Sequence, residues 1–301
     1  MIEPLHTTFA TTAPQGLRRE LFPMRLWRKS KRHGVWNPDD VDFTRDREDW
    51  AKLAEDEKDL LVRLTSLFVA GEESVTLDLL PLIQVIAREG RIEEELFLAA
   101  FLFEEAKHVD FFRRFLDEVA EERGDLSRYH SPAYRKIFYD ELPRSMSALL
   151  TDPSPAAQAR ASVTYNMIVE GVMAETGYHG YFQALERKDV LPGLRQGLRS
   201  IQRDESRHLA YGVFLISRLV AEHGVWPVVE QRMDELVESA VSIVLETFGA
   251  YEVVPFGLEP ADFVEFATTQ FSRRSDRIEL ARNQTLEQIY GLPDPDEEQS
   301  A

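Results

Sequence analysis

Cysteine is absent from the 301 residues of the sequence. Disulfide scaffolds, cysteine–zinc sites, iron–sulfur clusters and thiol nucleophiles are excluded with it. The opening residues, MIEPLHTTFATTAPQG, lack the basic-then-apolar pattern of a signal segment. No apolar run approaches the roughly 18 residues that a membrane-spanning helix needs. Together these absences predict a soluble, cytoplasmic protein. Positive charge is also scarce: 35 Lys and Arg stand against 53 Asp and Glu, a net charge of −18. Nucleic acid and anionic membrane surfaces would repel such a chain overall, and neither is expected as a partner. Strand signals are sparse, with few β-branched alternations and few Asn-Gly or Asp-Gly turns.

Helical signals dominate instead. Residues 1–44 read as a mixed N-terminal arm containing Pro4, Pro14, Pro23 and Pro38. Long helices are expected near 55–86, 92–122, 154–186 and 191–222, and shorter ones near 46–53, 131–150, 225–247 and 259–286. Gly90, the stretch ERGDLSRYHSP, DPSP at 152–155 and KDVLPG supply the breaks. Residues 291–301 form a short acidic tail. Four long helices with helical flanks predict an all-α fold, a four-helix bundle core with extra flanking helices, as one domain over 45–290.

Two of the long helices carry ionisable groups on apolar faces. Steps of three and four from Leu98 pass through Phe101, Glu105, His108, Phe112 and Phe115. The same walk on the last long helix gives Leu194, Leu198, Ile201, Glu205, His208, Gly212, Leu215 and Leu219. In each, a Glu and a His three residues apart interrupt an otherwise apolar stripe, and that spacing puts both on one helix face. Glu104 and Lys107 fall on the neighbouring stripe, expected to be the wetter one.

Buried carboxylates are unfavourable unless paired or bound to a cation. Two Glu-x-x-His helices joined by one Glu from each of two others make a dinuclear metal site in carboxylate bundles. On the first long helix the single glutamate is Glu72 or Glu73, which periodicity does not separate. On the third, the stripe Val163, Met167, Glu170, Ala174, Gly177 favours Glu170 over Glu175. Four carboxylates and two imidazoles suit iron and manganese, and six protein donors shared by two ions leave positions for dioxygen. Reduction of dioxygen there yields an oxidant able to abstract hydrogen.

WNPDDVDFTRDREDW at 36–50, GEESVT at 71–76, EEAKH at 104–108 and RDESRH at 203–208 together resemble the ribonucleotide reductase small-subunit superfamily, of ferritin-like fold. The resemblance covers about residues 36–250. It implies that Glu72, Glu105 and His108 hold one metal and Glu170, Glu205 and His208 the other. It also implies that Trp36 hydrogen-bonds Asp204, which stands behind His108. The radical-storing tyrosine of the usual small subunit is replaced by Phe112, and its first aspartate ligand by Glu72. Both departures resemble the tyrosine-free, manganese–iron small subunits and the ligand-binding oxidases of the superfamily.

Val75 and Tyr165 favour the oxidases, in which the matching valine and tyrosine become joined by an ether bond. The resemblance then implies one Mn and one Fe per chain, with Fe/Fe as an alternative, a long-chain fatty acid at the metals, and a homodimer. Gly71, Ala174, Gly177, Gly180 and Gly212 are candidates to make room for such a ligand, or to allow close helix packing. A radical-generating reductase subunit is the second reading. Ferritin-like metal storage or sensing is a third.

Overall fold

The computed structural model describes residues 8–291, and no strand occurs among them. The helices are α1 Phe22–His33, α2 Thr44–Trp50, α3 Glu55–Arg88, α4 Ile92–Glu118, α5 Pro132–Arg135, α6 Leu142–Ala148, α7 Pro155–Ser162, α8 Glu175–Lys188, α9 Pro192–His223, α10 Trp226–Phe248, α11 Pro260–Leu280 and α12 Leu286–Tyr290. The fold is all-α and ferritin-like, as expected. Helices α3, α4 and α9 and the composite helix through α7 and α8 form the four-helix core.

Two differences from the sequence reading matter. The N-terminal arm contains α1, whose Phe22, Met24 and Leu26 are buried against the bundle. Prolines at 14, 23 and 38 masked it, although Pro23 sits in the first turn of α1, where its missing N–H costs no hydrogen bond. The third core helix is not a plain α-helix. Val163–Ala174 between α7 and α8 is a π-helix, and a shorter π-segment, Lys136–Glu141, joins α5 to α6. Bonds from i to i+5 bring residues five apart over one another. Tyr165 and Glu170 are such a pair, so the 3.6-residue stripe drawn through Glu170 had the wrong period there.

Local devices aim the core helices. The helix α2 presents Asp46, which accepts from Gly193 N (2.8 Å) and Leu194 N (2.7 Å), while Asp49 accepts from Leu191 N (3.1 Å). These carboxylates satisfy the otherwise unpaired first N–H groups of α9, and negative charge is favourable at a helix N-terminus. The acids of the 36–50 motif thus anchor the helix that carries Glu205 and His208. The core itself divides into two apolar clusters, one around Val75, Phe101 and Tyr165, the other around Phe68, Phe111 and Phe112.

Candidate metal centre

Where the two clusters meet, six ionisable side chains converge. Glu72, Glu105, Glu170, Glu205, His108 and His208 are all buried. One atom each from Glu72, Glu105, His108 and Glu205 lie within 4.8 Å of one another, and so do atoms from Glu105, Glu170, Glu205 and His208. Glu105 and Glu205 therefore belong to both groups. The sequence reading divided them one to each metal; the geometry lets both carboxylates reach both positions. His108 Nδ1 is 3.4 Å from Glu72 Oε2 and 3.2 Å from Glu205 Oε1. His208 Nδ1 is 3.0 Å from Glu105 Oε1 and 3.4 Å from Glu205 Oε2. Glu73 is exposed and Glu175 pairs with Arg274 instead.

The atoms facing the centre have no other use. Both Glu105 oxygens, Glu170 Oε1, His108 Nδ1 and His208 Nδ1 are buried without a hydrogen-bond partner. Buried polar atoms are nearly always satisfied, so a group of orphans aimed at one point fits a cation. Burial, with Glu72 and Glu205 nearby, pushes the Glu105 carboxyl well above its usual range. Burial and Glu205 push Glu170 up to about 8. Such values mark carboxylates that need a positive charge.

The outward sides of the imidazoles are fixed. His208 Nε2 is 2.9 Å from Glu104 Oε2, and His108 Nε2 is 3.4 Å from Asp204 Oδ2. Trp36 Nε1 donates to the same Asp204 oxygen at 2.7 Å. Lys107 Nζ donates to Asp204 (3.1 Å) and to Gly34 O (2.7 Å). Arg207 Nη2 donates to Glu104 (2.7 Å) and Asp204 (2.5 Å). Carboxylates behind metal-binding imidazoles fix which nitrogen faces the metal.

Glu104 and Lys107 are thus buried, not on a wet stripe as expected from sequence. The arm covers that side of α4, and a Cβ on Gly34 would lie 2.1 Å from Glu104 Oε1, so only glycine fits there. A signal for this network was present. EEAKH and DESRH share an acid directly before the glutamate and a cation directly before the histidine.

Further supports were also missed. Asn166 Nδ2 donates to Glu170 Oε2 at 2.9 Å, and Tyr178 Oη to Glu72 Oε1 at 3.3 Å. The first is an i to i+4 pair, a spacing that puts both side chains on one helix face. Phe101 stacks on His208 at 3.6 Å between ring centroids. Phe112 is wholly buried and stacks on Phe68 at 5.2 Å.

An apolar cavity opens on the centre, with about 840 Å³ of empty space including its mouth. Glu72, Glu105, Glu170 and Glu205 form its polar end; Val75, Phe68, Phe138, Val244, Phe248 and Phe263 line its walls. Gly71, Ala174, Gly177 and Gly180 also line it. Gly212 does not: a Cβ there would lie 2.3 Å from Asn166 Cβ, so its role is close helix packing. Tyr165 is wholly buried beside the centre, in the same cluster as Val75, and its hydroxyl has no hydrogen-bond partner. It lies against Glu170 without hydrogen-bonding geometry; burial and the Glu105 and Glu170 charges hold it protonated. No helix among the described residues is long and apolar enough to cross a membrane.

The model of the ribonucleotide reductase small chain family matches residues 24–282. Among solved structures, the chain is similar to a valine-to-leucine variant of an R2-like ligand-binding oxidase with anaerobically reconstituted Mn/Fe cofactor. The identity is 37%, covering 90% of this chain and 98% of that one, with a TM-score of 0.85. A tyrosine-to-phenylalanine variant, aerobically reconstituted with Mn/Fe, gives the same values. A valine-to-isoleucine variant, also aerobically reconstituted, is 36% identical over 90% of this chain and 99% of that one, with a TM-score of 0.87. A buried carboxylate–histidine cluster able to hold two metals, on a bundle matched along nearly its whole length, leads to one conclusion: the chain belongs to the ribonucleotide reductase small chain family, alongside its R2-like ligand-binding oxidases.

Proposed function

We propose that the protein is a dioxygen-activating oxidase holding one manganese and one iron through Glu72, Glu105, His108, Glu170, Glu205 and His208. The observation that carries this reading is the convergence of buried, partnerless ligand atoms at the polar end of an apolar cavity. Bound metals would supply reduction of dioxygen and a two-electron oxidation of a ligand in that cavity. Iron–iron would suit the same donors. Glu72 with His108, and Glu170 with His208, serve one position each, while Glu105 and Glu205 serve both. Asp204 and Glu104 hold the imidazoles with Nδ1 facing the centre, and the phenylalanine-rich walls exclude water.

The ligand class that fits is a long-chain fatty acid or a similar amphiphile. Its carboxylate meets the polar end, and its chain runs along Phe68, Phe138, Val244 and Phe248. Val75 and Tyr165 are the pair for a self-generated ether cross-link. Val75 loses its Cβ–H and Tyr165 its phenolic hydrogen as the Cβ–Oη bond forms, and dioxygen takes up both hydrogens. The partnerless Tyr165 hydroxyl and the position of Val75 on the cavity wall support this. Phe112 offers no phenol to hold a radical in its place. A homodimer would cover Leu77 and Leu80, exposed on α3.

The second reading, a tyrosine-free reductase subunit, is favoured by the Trp36–Asp204 hydrogen bond. Peptide mass spectrometry after aerobic loading with both metals separates the two. The oxidase should lose two hydrogens in a species joining the Val75 and Tyr165 peptides. Full metal occupancy without that loss would sink the oxidase reading.

A further inference from the structure

The π-segment Val163–Ala174 ends in a mismatch of hydrogen bonds, where it gives way to α8. In an α-helix the Glu175 N–H would bond Gly171 O, four residues back. It bonds Glu170 O and Val172 O instead and passes over Gly171 O. Gly171 is buried. A buried carbonyl left out of the helical ladder needs a donor from elsewhere.

That donor comes from α11. Arg274 Nη1 donates to Gly171 O, and Arg274 Nη2 donates to Glu175 Oε2. The guanidinium thus spans the junction, gripping the backbone of the π-segment with one nitrogen and the first residue of α8 with the other. A Cβ on Gly171 would lie 3.3 Å from Arg274 Nη1 and 2.9 Å from Asn166 O, so the backbone is bare where the guanidinium lies. Thr176 Oγ1 is committed to the next carbonyl, Val172 O, at 2.5 Å. At the other end of the segment, Thr164 Oγ1 accepts from Arg232 Nε at 3.0 Å. Helices α10 and α11 therefore each lend one arginine to it.

The carbonyl that Arg274 fills belongs to the residue after Glu170. A π-turn takes up more residues than an α-turn, so moving the junction by one residue turns the side chains beside it by about 100° around the helix axis. Asn166 holds Glu170 Oε2, while Oε1 faces the centre with no hydrogen bond. The aim of Oε1 thus depends on the backbone. We infer that Arg274 is a positioning residue: by filling the carbonyl left open at the π-to-α junction, it fixes the register that aims Glu170 at the centre. Glu72 and His108 stand on α3 and α4, so the position they serve is independent of the clamp. The effect on metal rests on Glu170 being a ligand, as in the oxidase reading; the clamp on Gly171 O does not.

Two measurements on the full chain test this. Amide hydrogen exchange on metal-free protein reads the clamp, and cobalt(II) titration followed by visible absorbance reads the two metal positions. Arg274→Met keeps the apolar stem and removes every donor. Exchange across 163–176 should speed up by about tenfold or more, with α3 and α4 unchanged. One cobalt step should weaken by about tenfold or more and the other should stay as it was. Glu175→Gln leaves the bond to Gly171 O and should titrate like the parent protein. Arg274→Lys, whose ammonium lacks the fork that spans both partners, should fall between parent and Arg274→Met. It decides the matter if Arg274→Met does not fold. Unchanged exchange with two unchanged cobalt steps in the Arg274 variants would overturn the inference. Equal weakening of both steps would also overturn it, because a general loosening of the bundle acts on both. So would a Glu175→Gln protein as weak as Arg274→Met, which would put the role in the ion pair. A parent protein that takes up no cobalt would defeat the ligand assignment alone, and hydrogen exchange would still decide the clamp.

Discussion

Glu104 on α4 accepts from His208 on α9, while Asp204 on α9 faces His108 on α4. Each helix carries the acid that orients the other helix's imidazole, and Arg207 ties the two acids together. Glu104→Ala should free the His208 ring and lower metal affinity by roughly 10–100-fold, read by competition with a chelator. It also leaves Arg207 with one carboxylate fewer in a buried site, so thermal unfolding should occur at a lower temperature. Glu104→Gln, which can still accept a hydrogen bond, should fall between the two proteins in affinity. Equal affinity in all three would remove Glu104 from this role.

Loading should release protons. In the metal-free protein, burial and Glu205 push the Glu170 carboxyl up to about 8. A carboxyl raised on folding stabilises the metal-free fold fully below its unfolded value, near 4.5. That contribution is lost as pH rises through about 8. A bound cation takes the proton's place. The melting-temperature gap between loaded and metal-free protein should therefore widen from pH 6 to pH 9. Loading at pH 7 should acidify a weakly buffered solution. A constant gap and no proton uptake by buffer would contradict the assignment of Glu170.

The cavity can be narrowed without touching the candidate ligands. A Cβ on Gly180 would meet Phe263 at 3.5 Å, an ordinary contact. Gly180→Leu should keep the fold and the metal content but lose the fatty-acid-like ligand on organic extraction. Gly177→Ala should behave differently, because its Cβ would stand 2.5 Å from the Phe68 ring. That ring is held by Phe112, Tyr178 and Tyr181. Overpacking there should cost about 1–3 kcal/mol, measured by denaturant unfolding.

Tyr165→Phe removes the phenol and no candidate ligand. It should retain both metals, by elemental analysis, and show no two-hydrogen mass loss after aerobic loading. A loss that persists in this variant would point to another acceptor.

Much of this protein was legible in its sequence. Absent cysteine and sparse strand signals left an all-α fold, and Glu105–His108 and Glu205–His208 stood out because a spacing of three survives in any α-helix. Local periodicity does not show which side of a helix another segment covers. Glu104 and Lys107 looked wet because the arm's return over α4, through Gly34 and Trp36, leaves no periodic trace on α4 itself. Nor could α-periodicity describe Val163–Ala174, where i to i+5 bonding changes the repeat and sets Tyr165 over Glu170. Only the packing of four helices decided that Glu105 and Glu205 reach both positions, and that Gly212 fills a helix contact while Gly180 opens a cavity. The sequence by itself determined which residues carry charge into the core. The tertiary structure decided which of them meet, because contacts across helices depend on distances that no spacing along one chain segment contains.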